Sequence, residues 1–158
     1  MSTVYLNGEY LSKDRATISV DDRGFLLSDG IYEVTSAYRG RLFRMDRHKA
    51  RLKSGLAALR IDYDTVGLEE VHERLLAEND LTDEDVATIY VQITRGVAPR
   101  THHFPPAGTL PTVYACAQVF NRPTQERWEE GYSAITVPDR RWARVDIKSI
   151  GLLPNVLA

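Results

Sequence analysis

Cysteine is almost absent from the sequence: Cys116 is the only one among 158 residues, so no disulfide can form within the chain. Such a composition suits a reducing compartment, and we expect a cytoplasmic protein. The sequence also lacks any apolar run of about 18 residues, which argues against a membrane-spanning helix. Its first residues have neither the basic nor the apolar region of a signal peptide.

Neither sign of charge dominates. The formal net charge is −2, which gives no reason to expect a nucleic acid or an anionic membrane as partner. With 43% hydrophobic and 27% charged residues, the composition is typical of a globular protein with a core. No P-loop, GxGxxG, HExxH, GxSxG or paired CxxC motif occurs. His102 and His103 lack further ligands at suitable spacing, so no metal site is expected.

The pattern of apolar residues predicts a strand-rich opening, then helices, then further strands. Asn7-Gly8 and Arg39-Gly40 are typical of tight turns between paired strands. The stretch 96–111, with its glycines, prolines and histidines, predicts a long loop. The predicted strands cover residues 3–6, 31–38, 41–44, 86–94, 113–120 and 132–137, and 146–149 is expected to be extended.

Two helices are predicted between the strand that ends at position 44 and the strand that begins at position 86. The first covers 46–59, with Asp46 as its N-cap and a stripe of leucines facing the core. Asp64 is expected to cap the second helix, whose apolar face would include Val66. A further helix is expected to open within 152–158.

The order of the elements favours an α+β fold over a doubly wound α/β fold. The polar segment Asn121-Arg122-Pro123-Thr124 is the best linker candidate, because its proline prevents a central strand from continuing. We therefore expect a small domain over 1–120, a linker over 121–130 and the start of a second domain over 131–158.

Three groups of side chains could bind an anion or act as a nucleophile. Arg100 and His102 share the long loop and could grip a carboxylate, because arginine offers a planar fork of donors. His48 and Arg51 lie three apart on one helix face and could also bind an anion. Lys148 has apolar neighbours, and partial burial would lower its pKa and make its amine nucleophilic. Each group also fits an ordinary exposed charged surface, and spacing alone does not decide.

Taken together, these pieces resemble the D-amino-acid aminotransferases. Those enzymes belong to the fold-type IV group of pyridoxal-phosphate (PLP) enzymes, with the branched-chain aminotransferases and aminodeoxychorismate lyase. The resemblance runs in order through the whole chain, which makes it far more specific than any single motif. It is carried by Asp22-Arg23-Gly24-Phe25 with Gly30-Ile31-Tyr32-Glu33-Val34, His48-x-x-Arg51-Leu52, Thr94-Arg95-Gly96 through Arg100-Thr101-His102, and Asp146-Ile147-Lys148-Ser149 with Leu152-Leu153.

The resemblance implies roles for the candidate cofactor residues. Lys148 matches the lysine that holds PLP as a Schiff base and afterwards moves the proton. Arg51 matches the arginine that grips the phosphate of the cofactor, and His48 would support it.

The resemblance also implies a substrate site. Tyr32, Arg100 and His102 match the three residues that bind the α-carboxylate in the D-specific branch, and branched-chain aminotransferases and the lyase do not characteristically carry the Arg100-x-His102 pair. Val34 shares a strand face with Tyr32 and is expected to help line the substrate pocket.

The implied reaction moves the amino group of a D-amino acid such as D-alanine to a 2-oxo acid such as 2-oxoglutarate. The implied assembly is a homodimer with a loop contributed across the interface. An (R)-amine transaminase, a branched-chain aminotransferase and the lyase stay open as alternatives, because they belong to the same group. A non-catalytic piece that serves only in assembly is a further alternative.

Length is where the sequence departs from the family, whose members are nearly twice as long. The implied fold is a two-domain fold-type IV enzyme, of which this chain would hold the small N-terminal sandwich-like domain and only the beginning of the larger one. The acidic partner of the pyridine nitrogen and most phosphate ligands cannot be assigned here. We therefore expect the 158 residues to be part of a longer enzyme, and to be inactive alone.

Overall fold

The computed structural model of the chain describes residues 2–158, in which six strands form one antiparallel sheet in the order β2-β1-β6-β5-β3-β4. The strands are β1 (Thr3–Leu6), β2 (Glu9–Ser12), β3 (Gly30–Tyr38), β4 (Arg41–Leu42), β5 (Ala87–Thr94) and β6 (Thr112–Val119). The helices are α1 (Arg23–Leu27), α2 (Met45–Leu59), α3 (Leu68–Glu78), α4 (Gln125–Glu130) and α5 (Leu153–Val156), with a 3-10 helix at Lys13–Arg15. Helices on one face of an antiparallel sheet confirm the predicted α+β class.

The two faces of the sheet have different roles. One face is apolar and lies under α2 and α3, with Ile31, Ile89 and Ile93 at most 1% exposed. Because successive side chains of a strand point to opposite faces, Tyr32 lies on the other face. There the Tyr32 ring stacks on that of Tyr90, with centroids 5.6 Å apart. The pleat of β3 therefore sends alternate residues into the core and onto the open face.

Both predicted turns are confirmed. Asn7 and Gly8 have φ of 51° and 98°, and Arg39 and Gly40 have φ of 48° and 74°. Two successive residues with positive φ give the kind of turn whose twist matches that of an antiparallel strand pair. The turns connect β1 to β2 and β3 to β4, although β4 is shorter than the predicted 41–44.

The first helix begins one residue earlier than predicted, and Asp46 as its N-cap was wrong. Arg44, in the left-handed region with φ 53°, occupies the cap position and makes no side-chain capping hydrogen bond. Met45 starts the helix, because its side chain is buried against the core and fixes the chain there. Asp46 lies in the first turn, where a carboxylate interacts favourably with the helix dipole.

The predicted cap of the second helix was also wrong. Asp64 Oδ1 accepts a hydrogen bond from the Val66 amide at 3.0 Å, which makes a local turn ahead of the helix. Gly67, with φ 83°, precedes the first helical residue, and Val66 is 77% exposed instead of lying on the apolar face. An aspartate can close a turn as readily as it caps a helix, so spacing alone misplaced this boundary.

Two further regions differ from the prediction. The short helix α1 was not predicted; it begins after Asp22, whose Oδ1 accepts from the Gly24 amide at 2.7 Å. Residues 132–137 do not form the predicted strand. No strand within residues 2–158 pairs with them, and Ile135 is 85% exposed. A segment with strand-like composition stays irregular when nothing satisfies its backbone groups in a ladder.

The predicted loop and the predicted C-terminal helix are confirmed in outline. The loop 96–111 has no helix or strand, and the opening helix near 152 is the single turn α5. Gly96 leaves β5 with φ 87°, and a Cβ there would lie 1.9 Å from the carbonyl oxygen of Leu110. Glycine is therefore required where the two ends of the loop meet. Within the described residues, no helix is both long and apolar enough to cross a bilayer.

His72 is a buried titratable group in the core between α3 and the sheet. It is 1% exposed, its Nδ1 lies 2.6 Å from the Leu68 carbonyl oxygen, and its Nε2 makes no hydrogen bond within residues 2–158. Burial, only partly offset by the bond to Leu68, lowers the pKa of His72 to about 4, against an ordinary value of 6.5. His72 is therefore neutral in the folded chain at physiological pH.

The pKa of His72 predicts a loss of stability in mild acid. The unfolded chain takes up the proton near pH 6.5 while the folded chain does so only near pH 4, so stability falls as the pH drops between these values. We expect the free energy of unfolding in urea to decrease by about 2 kcal/mol between pH 7 and pH 5. His72→Gln should flatten this dependence, whereas His103→Gln, at an exposed loop position, should leave it unchanged. The prediction would be refuted if the free energy of unfolding depended on pH equally in wild type and in His72→Gln.

Candidate functional site

Lys148 lies beside the N-terminal half of β3. Its carbonyl oxygen accepts a hydrogen bond from the Tyr32 amide at 3.1 Å, and the Ile150 amide donates to the carbonyl of Gly30 at 3.2 Å. Ile147, the preceding residue, is 5% exposed and belongs to the core. The prediction of an extended segment over 146–149 was wrong, because turn and bend residues lead to a single bridge between Ser149 and Ile31 at this edge of the sheet. These contacts fix where the lysine side chain begins.

The amine of Lys148 lies over an aromatic ring. Its Nζ is 4.0 Å from the centroid of the Tyr32 ring, a distance at which the ring face attracts a cation. The residue is half-buried. Tyr32 is itself supported by stacking on Tyr90, so the surface under the amine is held in place.

A cavity of about 270 Å³ opens at this point. Tyr32, Arg51 and Lys148 all line it, and the segment between positions 141 and 155 forms much of its wall. An amine, an aromatic ring and a guanidinium therefore meet in one concave site, although they come from a turn segment, a strand and a helix. The fold brings Lys148 and Arg51, two of the candidate cofactor residues, to one cavity although they are far apart in sequence.

A buried carboxylate holds Arg51 in position. Glu33 lies on the core side of β3 and its side chain is 2% exposed, whereas the Arg51 side chain is 52% exposed. Arg51 Nη2 donates to Glu33 Oε2 at 2.6 Å, and Arg51 Nε donates to Oε1. His48 Nδ1 lies 2.9 Å from Glu33 Oε2. His48 and Arg51, one helical turn apart on α2, thus share one carboxylate as their partner.

The Glu33 site has a definite charge state. Burial alone would raise the pKa of Glu33, but the hydrogen bonds from Arg51 and His48 outweigh it and hold the pKa below its ordinary value of 4.5. The same hydrogen bond to Glu33 raises the pKa of Arg51 above its ordinary value. Both groups are therefore charged at neutral pH. Arg51 binds Glu33 through Nε and Nη2 and also lines the cavity, so its guanidinium has donors left for an anion there.

The residues present fit PLP at its two ends. The half-buried amine of Lys148 suits an aldehyde carbon, and a guanidinium oriented by a buried carboxylate suits a phosphate. Both line the same cavity, with the Tyr32 ring beside the amine. Lys148 and Arg51 are thus the residues in this chain that would hold the cofactor, and His48 would act through Glu33.

The predicted substrate residues are not all brought to this cavity. Tyr32 lines it, but Arg100 and His102 are exposed on the loop 96–111 and are not among its lining residues. Val34 lies on the same face of β3 as Tyr32, is 37% exposed, and does not line the cavity either. Within the described chain, Arg100 and His102, the pair predicted to bind a carboxylate, therefore lie apart from the cavity of Lys148.

Glu33 is the functional residue that sequence reasoning missed. Its signal was available, because a period of two places it with Ile31 and Thr35 on the buried face of the strand. A buried carboxylate requires a partner of opposite charge, and a helix carrying both His48 and Arg51 follows directly.

Comparison with known proteins shows the family. The model of amino-transferase class IV matches residues 30–158, and the chain belongs to this family. A D-alanine aminotransferase of Staphylococcus epidermidis is 42% identical over an alignment of 160 positions, which covers 100% of this chain and 55% of that protein. The expected fold-type IV resemblance is confirmed.

Solved structures agree with this fold. A 4-amino-4-deoxychorismate lyase from Pseudomonas aeruginosa has a TM-score of 0.75 and 28% identity, and the match covers 98% of this chain and 55% of that one. A branched-chain amino acid aminotransferase from Escherichia coli has a TM-score of 0.68 at 22% identity, over 75% of this chain and 41% of that one. The chain spans about half the length of the relatives it matches.

Proposed function

We propose that the full protein carrying this chain is a PLP-dependent aminotransferase. It would move the amino group of a D-amino acid such as D-alanine to a 2-oxo acid such as 2-oxoglutarate. The observation that carries the proposal is the shared cavity of Lys148, Arg51 and Tyr32 in a chain that is 42% identical to a D-alanine aminotransferase.

Each residue of the cavity has a chemical task in this proposal. When bound, PLP supplies an electron sink for the carbanion formed at the substrate α-carbon. Arg51 would donate to the phosphate of the cofactor, and Glu33 keeps the guanidinium charged and oriented. Lys148 Nζ would hold the cofactor covalently and, as a free amine, would accept the α-proton of the substrate and return it. Because the first 2-oxo acid would leave before the acceptor 2-oxo acid binds, with the amino group retained on the enzyme in between, ping-pong kinetics are expected.

The substrate carboxylate would be bound by Tyr32, Arg100 and His102. Since Arg100 and His102 lie outside the cavity of their own chain, we propose that the loop 96–111 acts across the interface of a homodimer. This arrangement agrees with the exposure of both side chains. It would place a charge-assisted clamp opposite the lysine and thereby fix which way the α-hydrogen points.

We also propose the domain division 1–120, 121–130 and 131–158, with α4 lying inside the linker. The 158 residues alone are expected to be inactive, because the acidic partner of the pyridine nitrogen is not assigned among them and the electron sink is weaker without it. A cytoplasmic location is proposed from the single cysteine, which suits a reducing compartment.

A spectrum of the full protein with PLP tests the proposal. We expect a visible band of bound cofactor that converts on adding D-alanine and not on adding L-alanine. Conversion by L-leucine would favour a branched-chain aminotransferase, and conversion by a simple (R)-amine would favour an amine transaminase. Pyruvate release from aminodeoxychorismate would favour the lyase, which the likeness to the Pseudomonas enzyme keeps as second candidate. The proposal would be refuted if no band of bound cofactor appeared in the presence of any of these compounds.

A further inference from the structure

The loop 96–111 is irregular, yet its central part is tied to the body of the domain by a buried arginine. Arg23, at the start of α1, is 3% exposed. Its Nη1 donates to the carbonyl oxygens of Pro99 at 3.2 Å and Thr101 at 2.9 Å. These two carbonyls flank Arg100 on either side. One guanidinium nitrogen therefore fixes the backbone immediately before and after that residue.

A second buried arginine holds the next part of the loop. Arg95 is 5% exposed, and its Nη2 donates to the Leu59 carbonyl oxygen at 2.6 Å. The ring of Phe104 covers this guanidinium, with Cζ 4.2 Å from the ring centroid. The Cζ atom of Arg60 also lies 5.6 Å from the centroid of this ring. The far end of the segment 99–104 is thus held by cation–π contact.

One carboxylate orients both arginines. Asp29 Oδ2 accepts from Arg23 Nε at 2.8 Å and from Arg95 Nε at 2.7 Å, and its Oδ1 accepts from Arg95 Nη2 at 2.9 Å. Asp29 is itself nearly buried, so solvent screens these bonds little. Arg23 and Arg95 therefore cannot move independently of each other, and the two anchors of the loop form a single unit.

We propose that Arg23 is a positioning residue for the substrate carboxylate site. With its backbone held at Pro99 and Thr101, the loop presents Arg100 and His102 in a fixed relation from the surface of the chain. A mobile loop would have to be ordered each time a carboxylate binds, which weakens binding without changing the reacting groups. This inference rests on the proposed function, since it takes Arg100 and His102 as the carboxylate-binding pair.

The test uses the full protein with PLP and the variant Arg23→Gln, whose side chain is shorter and uncharged. We expect KM for D-alanine to rise by about tenfold or more, kcat to change less than about twofold, and cofactor affinity to stay as in wild type. Amide hydrogen exchange should accelerate at 99–104 and remain slow in β3. Arg23→Lys, which can still donate to a carbonyl, should recover part of the loss. Arg39→Gln, in an exposed ion pair, is the matched control.

A milder variant keeps the inference testable if Arg23→Gln does not fold. Phe104→Ala removes only the ring over Arg95, at a position 44% exposed, and should raise KM by about threefold in the same direction. Unchanged KM and unchanged loop exchange in both variants of an active enzyme would overturn the inference. If wild type is inactive, the proposed function fails instead. In that case amide hydrogen exchange still tests the anchoring of the loop. If Arg23→Gln loses the protection of residues 99–104, Arg23 anchors the loop, but its role in carboxylate binding is overturned.

Discussion

Replacing Lys148 with alanine is expected to abolish covalent attachment of PLP and to lower kcat of the full protein by about 10⁴-fold or more. Lys148 is the only lysine among the described residues that line the cavity beside Tyr32 and Arg51. No neighbouring amine can therefore take over attachment or proton transfer. Borohydride reduction followed by mass measurement gives the direct readout: the wild type should retain a cofactor adduct and the variant should not.

The control for this experiment is another lysine of the same domain. Lys53 is exposed on α2 and does not line the cavity. Lys53→Ala should retain both the adduct and the turnover of D-alanine. An adduct retained in Lys148→Ala would show that the cofactor is attached elsewhere, and the assignment of the cavity would be wrong. Loss of the adduct in both variants would point to misfolding, which urea unfolding distinguishes.

Five of the six strands of the sheet, all but β2, were predictable because their signals are local. An alternation of period two in β3 and β5, and a turn pair such as Asn7-Gly8, define the strand and its partner within a few residues. The starts of α2 and α3 were not predictable in the same way. Met45 rather than Asp46 begins α2 because Met45 reaches the core, and that contact depends on tertiary packing. An acidic residue ahead of an apolar run is compatible with several positions for the start of a helix.

The candidate site was predictable only in part. Lys148 and Arg51 were paired by resemblance, and the cavity they share supports that pairing. Their individual patterns could not have distinguished them from exposed cations. Glu33 could have been inferred from its place on the buried face of β3. The loop anchor at Arg23 could not, because the carbonyls that it holds lie 76 and 78 positions along the chain, and only the folded chain brings them together.

Glu33→Gln is expected to destabilise the domain by about 2–3 kcal/mol at pH 7 and to weaken PLP binding by about tenfold. The amide keeps the shape of the side chain but removes the charge that pairs with Arg51 and His48. Removing one partner of a fully buried ion pair costs about 3–5 kcal/mol, and the expected value is lower because Arg51 is half exposed. Cofactor binding weakens because the guanidinium loses its fixed orientation.

The pKa of Glu33 sets the pH range of this effect. A carboxyl group whose pKa is lowered by folding stabilises the folded state above its ordinary pKa, and this stabilisation is lost as the pH falls through the lowered value. The difference between wild type and Glu33→Gln should therefore be constant from pH 7 to about 5 and shrink below 4.5. The contribution of His72 cancels in this comparison, because both proteins contain it.

Urea unfolding at a series of pH values, with PLP titration at pH 7, measures both consequences. Asp85→Asn is the matched control, since its ion pair with Arg39 has side chains 78% and 83% exposed and should contribute less than about 0.5 kcal/mol. Equal stability of Glu33→Gln and wild type at pH 7 would mean that the Glu33 charge adds nothing to the fold. Unchanged cofactor affinity together with lower stability would assign Glu33 to the fold alone, and Arg51 would then reach the phosphate without its help.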